Sequence, residues 1–484
     1  MYPNLFPMAL TCMNKFLLLL CLILNALMAF NQQVHVSFTN KSYAGDTLYV
    51  TKEKDFITNL MDTLTSSTVN KEGQWKVDFT CKEPMLIHIP LYFFEAWLYV
   101  EPNTSYQIKI PRKQYMSVVD SLNAYFSPII IYPLVLNHDS SNAHTAIGDF
   151  DNRYDAFIEK NIKQLHYKIR KSFIDSSISQ FNTYYSYVKS TYFHNYMFYK
   201  MIMIKYLSYE RDQNFIIKYY FNAQPVLLTN TGYMDMFNQL FADYFSYICQ
   251  TSWGAPVFDN IAKAKSPYEL RHTLKHNPAL TNDTLIDLVI LKGLHDACME
   301  TNDAQKVSFP KKQLLMTLDS MGIVAKTPEL RAIAQHIKTK FSTENMQYCY
   351  DEIPLKSLDG ENILLRNFRG KYLYVCVHDF RSYDFYTDQR LMKANIKSIN
   401  SNLQMITVVL YPNLSSLKEM LKKENFDWFF VTCTQPDLLK KMLQVKATPS
   451  YYLFNPNGEL INKNAPPPNA EFVPYFKQFN HENR

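Results

Sequence analysis

Tyr372-Leu373-Tyr374-Val375-Cys376-Val377-His378-Asp379-Phe380-Arg381-Ser382-Tyr383-Asp384-Phe385 reads as an apolar strand that ends at His378 and opens into a helix. Ser382 and Asp384 stand where a short polar side chain caps free backbone N–H groups. The His378, Ser382, Asp384 grouping contains the residue types of a hydrolase triad. Triads are assembled in space and not by nearness in sequence, and no oxyanion site accompanies these residues, so capping explains them.

Outward from that stretch lie Leu358-Asp359-Gly360-Glu361, then Phe368-Arg369-Gly370-Lys371, and later Ala447-Thr448-Pro449-Ser450 before Tyr451-Tyr452-Leu453-Phe454-Asn455-Pro456-Asn457-Gly458. In this order the motifs resemble the thioredoxin-like family, in its TlpA-like, thiol-disulfide oxidoreductase-like branch, and the resemblance covers about the last 135 residues, one domain's worth of chain. It implies a Cys-x-x-Cys at the start of the helix after the Gly-Lys strand, and residue counting places the two cysteines at Ser382 and Phe385. Both are missing. Dithiol chemistry needs a thiolate stabilised at a helix N-terminus and a second sulfur to resolve the mixed disulfide. The resemblance also implies a cis proline facing that site, at Pro449, a bond geometry largely confined to proline.

The sequence has 484 residues, too many for one hydrophobic core, with a globular hydrophobic content of 47%. The formal net charge of +6 is spread along the chain without a block of five Lys/Arg, which argues against a nucleic-acid partner. Near the start, Lys15 precedes Phe16-Leu17-Leu18-Leu19-Leu20-Cys21-Leu22-Ile23-Leu24, followed by Asn25-Ala26-Leu27-Met28-Ala29. These are the charged, apolar and small-residue parts of a secretory signal over residues 1–30. The apolar core is shorter than the ~20 residues that span a bilayer, so membrane association is expected only through an uncleaved signal, and leucines before Cys21 disfavour lipidation. Removal of the signal leaves Cys81, Cys249, Cys298, Cys349, Cys376 and Cys433. Their spacing gives no metal pattern and no disulfide framework, and leaves their pairing open.

Three changes of pattern follow. From residue 31 to 112 apolar and polar residues alternate, as in Val34-His35-Val36-Ser37-Phe38 and Gln74-Trp75-Lys76-Val77-Asp78-Phe79, which predicts short antiparallel strands in a β-sandwich. Leu98-Tyr99-Val100-Glu101-Pro102-Asn103-Thr104-Ser105-Tyr106 resembles the N-terminal β-domain found ahead of thioredoxin folds in exported Gram-negative bacterial proteins. From 118 to 345 the three-and-four spacing of Tyr154, Phe157, Ile158, Ile162 and Leu165 predicts an α-helical domain, with breaks at Pro225, Gly232, Pro256, Pro278 and Pro310. The aromatic run Tyr184 to Tyr220 reads as a helix buried on several sides, because its rings surround the helix instead of forming one stripe. His272 and His276 lie four apart, but they lack a third ligand and stand beside Arg271 and Lys275, which disfavours a metal. Residues 346–484 complete a multidomain α+β chain with the thioredoxin-like α/β domain.

These features predict an exported protein, periplasmic or otherwise in the cell envelope, with no cofactor and no catalytic residues. Ser382, Tyr383, Asp384, Phe385 and Pro449 would present the degenerate redox site as a surface for a protein or peptide partner, with Tyr383 and Phe385 adding apolar contact. Two alternatives stay open. One is a thiol-disulfide oxidoreductase using Cys376 or Cys433; the other is an envelope structural or uptake-accessory protein that makes its contacts through Tyr196 and Tyr199.

Overall fold

The structure is a computed structural model that describes residues 32–115, 127–137, 142–166, 171–299, 307–341, 355–396, 402–436, 439–440, 443, 445, 447–458, 460–463, 465–468 and 472–481. The signal-like segment, with Cys12 and Cys21, and Cys349 lie outside the described residues. The chain divides into two units, one holding residues 1–115 and 128–341, the other residues 116–127 and 342–484.

The first unit begins with strands β1 (Gln33–Thr39), β2 (Thr47–Glu53), β3 (Met61–Thr68), β4 (Gln74–Thr80), β5 (Met85–Leu91), β6 (Phe94–Val100), β7 (Ser105–Lys109), β8 (Ile129–Ile131) and β9 (Leu134–Val135). They form one sheet in the order β4-β1-β7-β9 and a second in the order β3-β2-β5-β6-β8. Val34, Val36 and Phe38 alternate inward along β1 with Trp75, Val77 and Phe79 of β4, and they meet Leu48, Val50, Ile87, Ile89 and Leu98 from the other sheet in one core. Alternation thus buries one face of each sheet, as a sandwich requires. Two pairings depart from the antiparallel expectation: β1 runs parallel to β7, and β6 parallel to β8. Strands β8 and β9 also fall inside the stretch predicted to be helical.

Helices follow as α1 (Ala143–His166), α2 (Lys171–Tyr184), α3 (Thr191–Ser208), α4 (Gln213–Ile216), α5 (Thr231–Leu240), α6 (Tyr244–Ile248), α7 (Pro256–Asp259), α8 (Pro267–Leu274), α9 (Asp283–Cys298), α10 (Lys311–Val324) and α11 (Pro328–Phe341). Ser190 caps α3, its side chain accepting from the Phe193 N–H, and Tyr192, Phe193, Tyr196 and Tyr199 are all buried along that helix. The rings of Tyr192 and Tyr196 lie 5.9 and 6.1 Å from Tyr99 of β6, so the sandwich and the helices share a core containing Leu86 and Tyr99. Gly232 does not end a helix. It stands in the first turn of α5, where a Cβ would meet the Tyr196 carbonyl oxygen at 2.7 Å, so glycine is required for close approach of α5 to α3. The His276 ring turns back onto its own backbone, with Nδ1 3.1 Å from the His272 carbonyl and 3.2 Å from that of Thr273.

In the second unit, β10 (Leu355–Ser357), β11 (Asn362–Ile363), β12 (Tyr372–Asp379), β13 (Leu403–Leu410), β14 (Phe429–Cys433), β15 (Ser450–Phe454) and β16 (Leu460–Asn462) accompany α12 (Phe385–Ile396), α13 (Leu414–Glu424) and α14 (Phe472–His481). The sheet order is β11-β10-β14-β13-β12-β15-β16. Strands β12, β13 and β14 are mutually parallel, while β15 and β10 pair antiparallel at the flanks. Every residue of β12 is buried, as expected of a central parallel strand covered on both faces. Tyr374 and Cys376 pack with Met392 of α12 and with Phe472 and Phe476 of α14, while Leu373, Val375 and Val377 face Leu439 and Leu443. A βαβαβ parallel core flanked by antiparallel hairpins, β15–β16 at one edge and β10–β11 at the other, is a thioredoxin-like arrangement.

Candidate functional site

The C-terminal ends of parallel strands are where an α/β sheet leaves room for a ligand, because the connections to the helices diverge there. At this end of β12 the chain turns sharply. The buried Asp379 carboxylate accepts from the Arg381 backbone N–H at 2.9 Å and from its guanidinium Nε and Nη2 at 3.0 and 2.7 Å. The Ser382 N–H then donates to the Asp379 carbonyl at 3.1 Å, and the Phe385 N–H to the Ser382 carbonyl at 3.2 Å. Ser382 Oγ accepts weakly from the Asp384 N–H at 3.4 Å, a local capping contact.

Phe385 opens α12 with its ring fully buried, at 0% exposure. It lies 5.0 Å from the His378 ring and 5.2 Å from that of Phe380, in a cluster with Val409, Leu417, Met420 and Phe430. The spacing of Phe385, Gln389 and Met392, all at 0% exposure, sets one face of the helix against the sheet. The ring expected at the surface is therefore part of the core, leaving Tyr383, 93% exposed, as the aromatic group this turn presents. Pro449 is half-buried, and the Thr448–Pro449 bond is cis. Ser450 beside it pairs with Val377, which brings the proline to the same end of β12 as the turn.

Behind the turn lies a buried polar line. His378 donates from Nε2 to Asp388 Oδ2 at 3.0 Å, while its Nδ1 faces the Asp379 carbonyl at 3.3 Å. The Tyr451 hydroxyl donates to the same Asp388 oxygen at 3.3 Å. Thr407 donates to Gln389 Oε1 at 2.9 Å and accepts from the Trp428 indole at 3.1 Å. His378 thus contacts neither Ser382 nor Asp384 through a described hydrogen bond, and the three residues form no relay.

The cysteines differ in kind from a redox pair. Cys376 is at 0% exposure in mid-strand; burial pushes its thiol well above the ordinary range, and the Asp388 charge pushes in the same direction. Burial also raises Cys433. Among the described cysteines, Cys81, Cys249, Cys376 and Cys433 carry free thiols. A thiol held protonated in a core is a poor nucleophile.

The sequence pattern did not single out Tyr411, Arg381 and Lys440. Tyr411 follows β13 with φ of 47°, a left-handed backbone that costs a bulky residue of order 1–3 kcal/mol. The Arg381 guanidinium sits 4.2 Å from its ring centroid, and the Lys440 ammonium 5.1 Å. The only hint in the sequence was Tyr411-Pro412 closing an apolar run, which marks a strand end but not a strained one.

Among the described residues no group of His, Cys, Asp or Glu is placed to hold a metal ion, and no helix is long and apolar enough to cross a membrane. No family model matches the chain, and no curated protein matches it. Solved structures similar to part of it include the thioredoxin domain of a thiol-disulfide oxidoreductase from Bacteroides vulgatus, 15% identical over 26% of this chain and 94% of that one, with a TM-score of 0.24. StoA from Bacillus subtilis is 17% identical over 26% of this chain and 94% of its own, with a TM-score of 0.22. A secreted disulfide oxidoreductase from Mycobacterium tuberculosis is 10% identical over 28% and 97%, with a TM-score of 0.23.

Proposed function

We propose that the second unit is a protein- or peptide-binding module of an exported, cell-envelope protein, and that it has no dithiol chemistry. The observation that carries this reading is Phe385. At the position where the resemblance implies the second cysteine, the chain has put a core side chain whose removal would open the sheet–helix interface. Tyr383 and the half-buried Pro449 then lie at the accessible end of β12, together with Ser382 and Asp384. Export rests on the signal-like segment around Lys15 to Ala29.

The oxidoreductase alternative depends on Cys376 or Cys433, and both are buried with their thiols pushed up. The alternative that relies on Tyr196 and Tyr199 requires rings that are buried in the first unit. An insulin-disulfide reduction assay tests the proposal: the protein shows no turnover above the uncatalysed rate. Turnover that disappears in Cys376→Ser would overturn it.

A further inference from the structure

The binding reading leaves open what kind of peptide the end of β12 takes, and the charges there bear on that. Register pairs Asp379 with Leu410, and the Phe380 N–H donates to the Leu410 carbonyl at 3.0 Å. Arg381 and Tyr411 therefore leave the sheet side by side. Arg381 stacks on the Tyr411 ring at 4.2 Å while its Nε and Nη2 hold the buried Asp379 carboxylate. Lys440 comes to the same ring from another segment, 5.1 Å from its centroid, and its ammonium donates to the Tyr411 hydroxyl at 3.4 Å. Two cations thus converge on one tyrosine, with Asp379 neutralising the first. The N-terminus of α12 adds its partial positive charge at this end. The exposed carboxylate of the turn is Asp384, one residue beyond Tyr383.

Tyr411 is kept 36% exposed on a left-handed backbone that few non-glycine residues adopt. Strain of that kind persists where the surroundings over-determine it, and it concentrates at ligand clamps. Tyr383 and Tyr386, 93% and 42% exposed, supply further ring faces at the start of the neighbouring helix.

We infer that this end of the sheet, resting on the binding reading above, takes an extended peptide that places an Asp or Glu side chain between Arg381 and Lys440, with an adjacent apolar side chain against Tyr411 and Tyr383. The carboxylate meets charge-assisted donors, and the rings give contact area at low entropic cost.

A selection from a displayed library of random peptides, using the full-length protein, tests this. Retained peptides are enriched in Asp and Glu next to an apolar residue, and replacing the acid by its amide weakens a selected peptide about fivefold or more, roughly a kcal/mol. Lys440→Gln gives a similar loss for the acidic peptide and none for its amide version, and Lys440→Arg restores it. Since Arg381→Gln would strand the buried Asp379 carboxylate, Lys440 is the variant of choice. Peptides whose retention depends on Tyr383 but that show no acidic bias, or that bind Lys440→Gln equally well, would overturn this inference and leave the binding reading standing. Failure to retain any peptide that Tyr383→Ser releases would overturn both.

Discussion

Replacing Phe385 by alanine separates a core residue from a site residue. The ring is fully buried against His378, Phe380, Val409, Leu417 and Met420; truncating a buried phenylalanine costs about 3–5 kcal/mol, the sum of lost transfer energy and the cavity left behind. Cys376 reports on this locally, because it lies at 0% exposure on β12, the strand Phe385 packs over, and reacts with an alkylating reagent only when the unit opens. With each 1.4 kcal/mol worth a factor of ten, the loss raises the alkylation rate of Cys376 by about two to three and a half powers of ten. Peptide mass spectrometry of the whole chain resolves that site from the other cysteines. Tyr383→Ala, at an exposed position, changes the rate by less than about threefold, since surface substitutions stay within about 0.5 kcal/mol. An increase below about fivefold in Phe385→Ala would refute the argument, because the ring would then not be holding helix to sheet.

Burial in the first unit pushes Asp151 up to about 6, against the hydrogen bond from Tyr196 and the charge of Lys200. The folded state thus binds this proton more tightly than the unfolded chain, so the stability it adds is full below pH 3.8 and is lost as pH rises through 6; Asp151→Asn flattens that decline, about 3 kcal/mol at most, in thermal melts across the interval. His88 is raised to about 9: burial lowers it, but hydrogen bonds to Glu53 and Glu95 outweigh that. Its contribution, also about 3 kcal/mol at most, is present below pH 6.5 and lost as pH rises through 9, and His88→Gln removes that slope from the same melts. Gly73 has φ of 83° and a Cβ there would lie 2.5 Å from the Lys41 nitrogen. Gly73→Ala therefore destabilises by at least about 1–3 kcal/mol in urea titrations of the first unit.

Where a residue's fate depends on local pattern, the sequence made it legible. Val34, Val36 and Phe38 alternate and point inward, and the Tyr372 to Val377 run is a central strand. The pattern failed where a second layer intervened. In β5, Leu86, Ile87, His88 and Ile89 are buried in succession because Leu86 faces the helices while Ile87 and Ile89 face the sandwich core, and a strand covered on both sides has no period of two. The parallel partners of β1 and β6 were equally hidden, since pairing between distant segments leaves no local trace. At the candidate site, counting along the chain identified Phe385 as standing where a cysteine was implied. It did not say that the ring turns inward, because the first residue of a helix can face either way until the sheet beneath it is placed. Tyr411 and Lys440 escaped for a related reason: 29 residues separate them along the chain, and only the fold makes them neighbours.

The segment from β8 to β9 has a mechanical consequence for the sandwich. Ile129–Ile131 lies at the edge of one sheet and Leu134–Val135 at the edge of the other, so a single ribbon belongs to both layers. From Ile131 to Leu134 the backbone takes three residue steps, a reach of roughly 10 Å, and two facing sheets sit about 10 Å apart. The connection is as long as the gap it crosses. It works like a staple through two pages, fixing both their spacing and their offset. The passages from β1 to β2, β3 to β4, β4 to β5 and β6 to β7 cross the same gap, so a single backbone cut at Pro133 would leave each half of the ribbon paired to its own sheet and remove one of several ties between the layers.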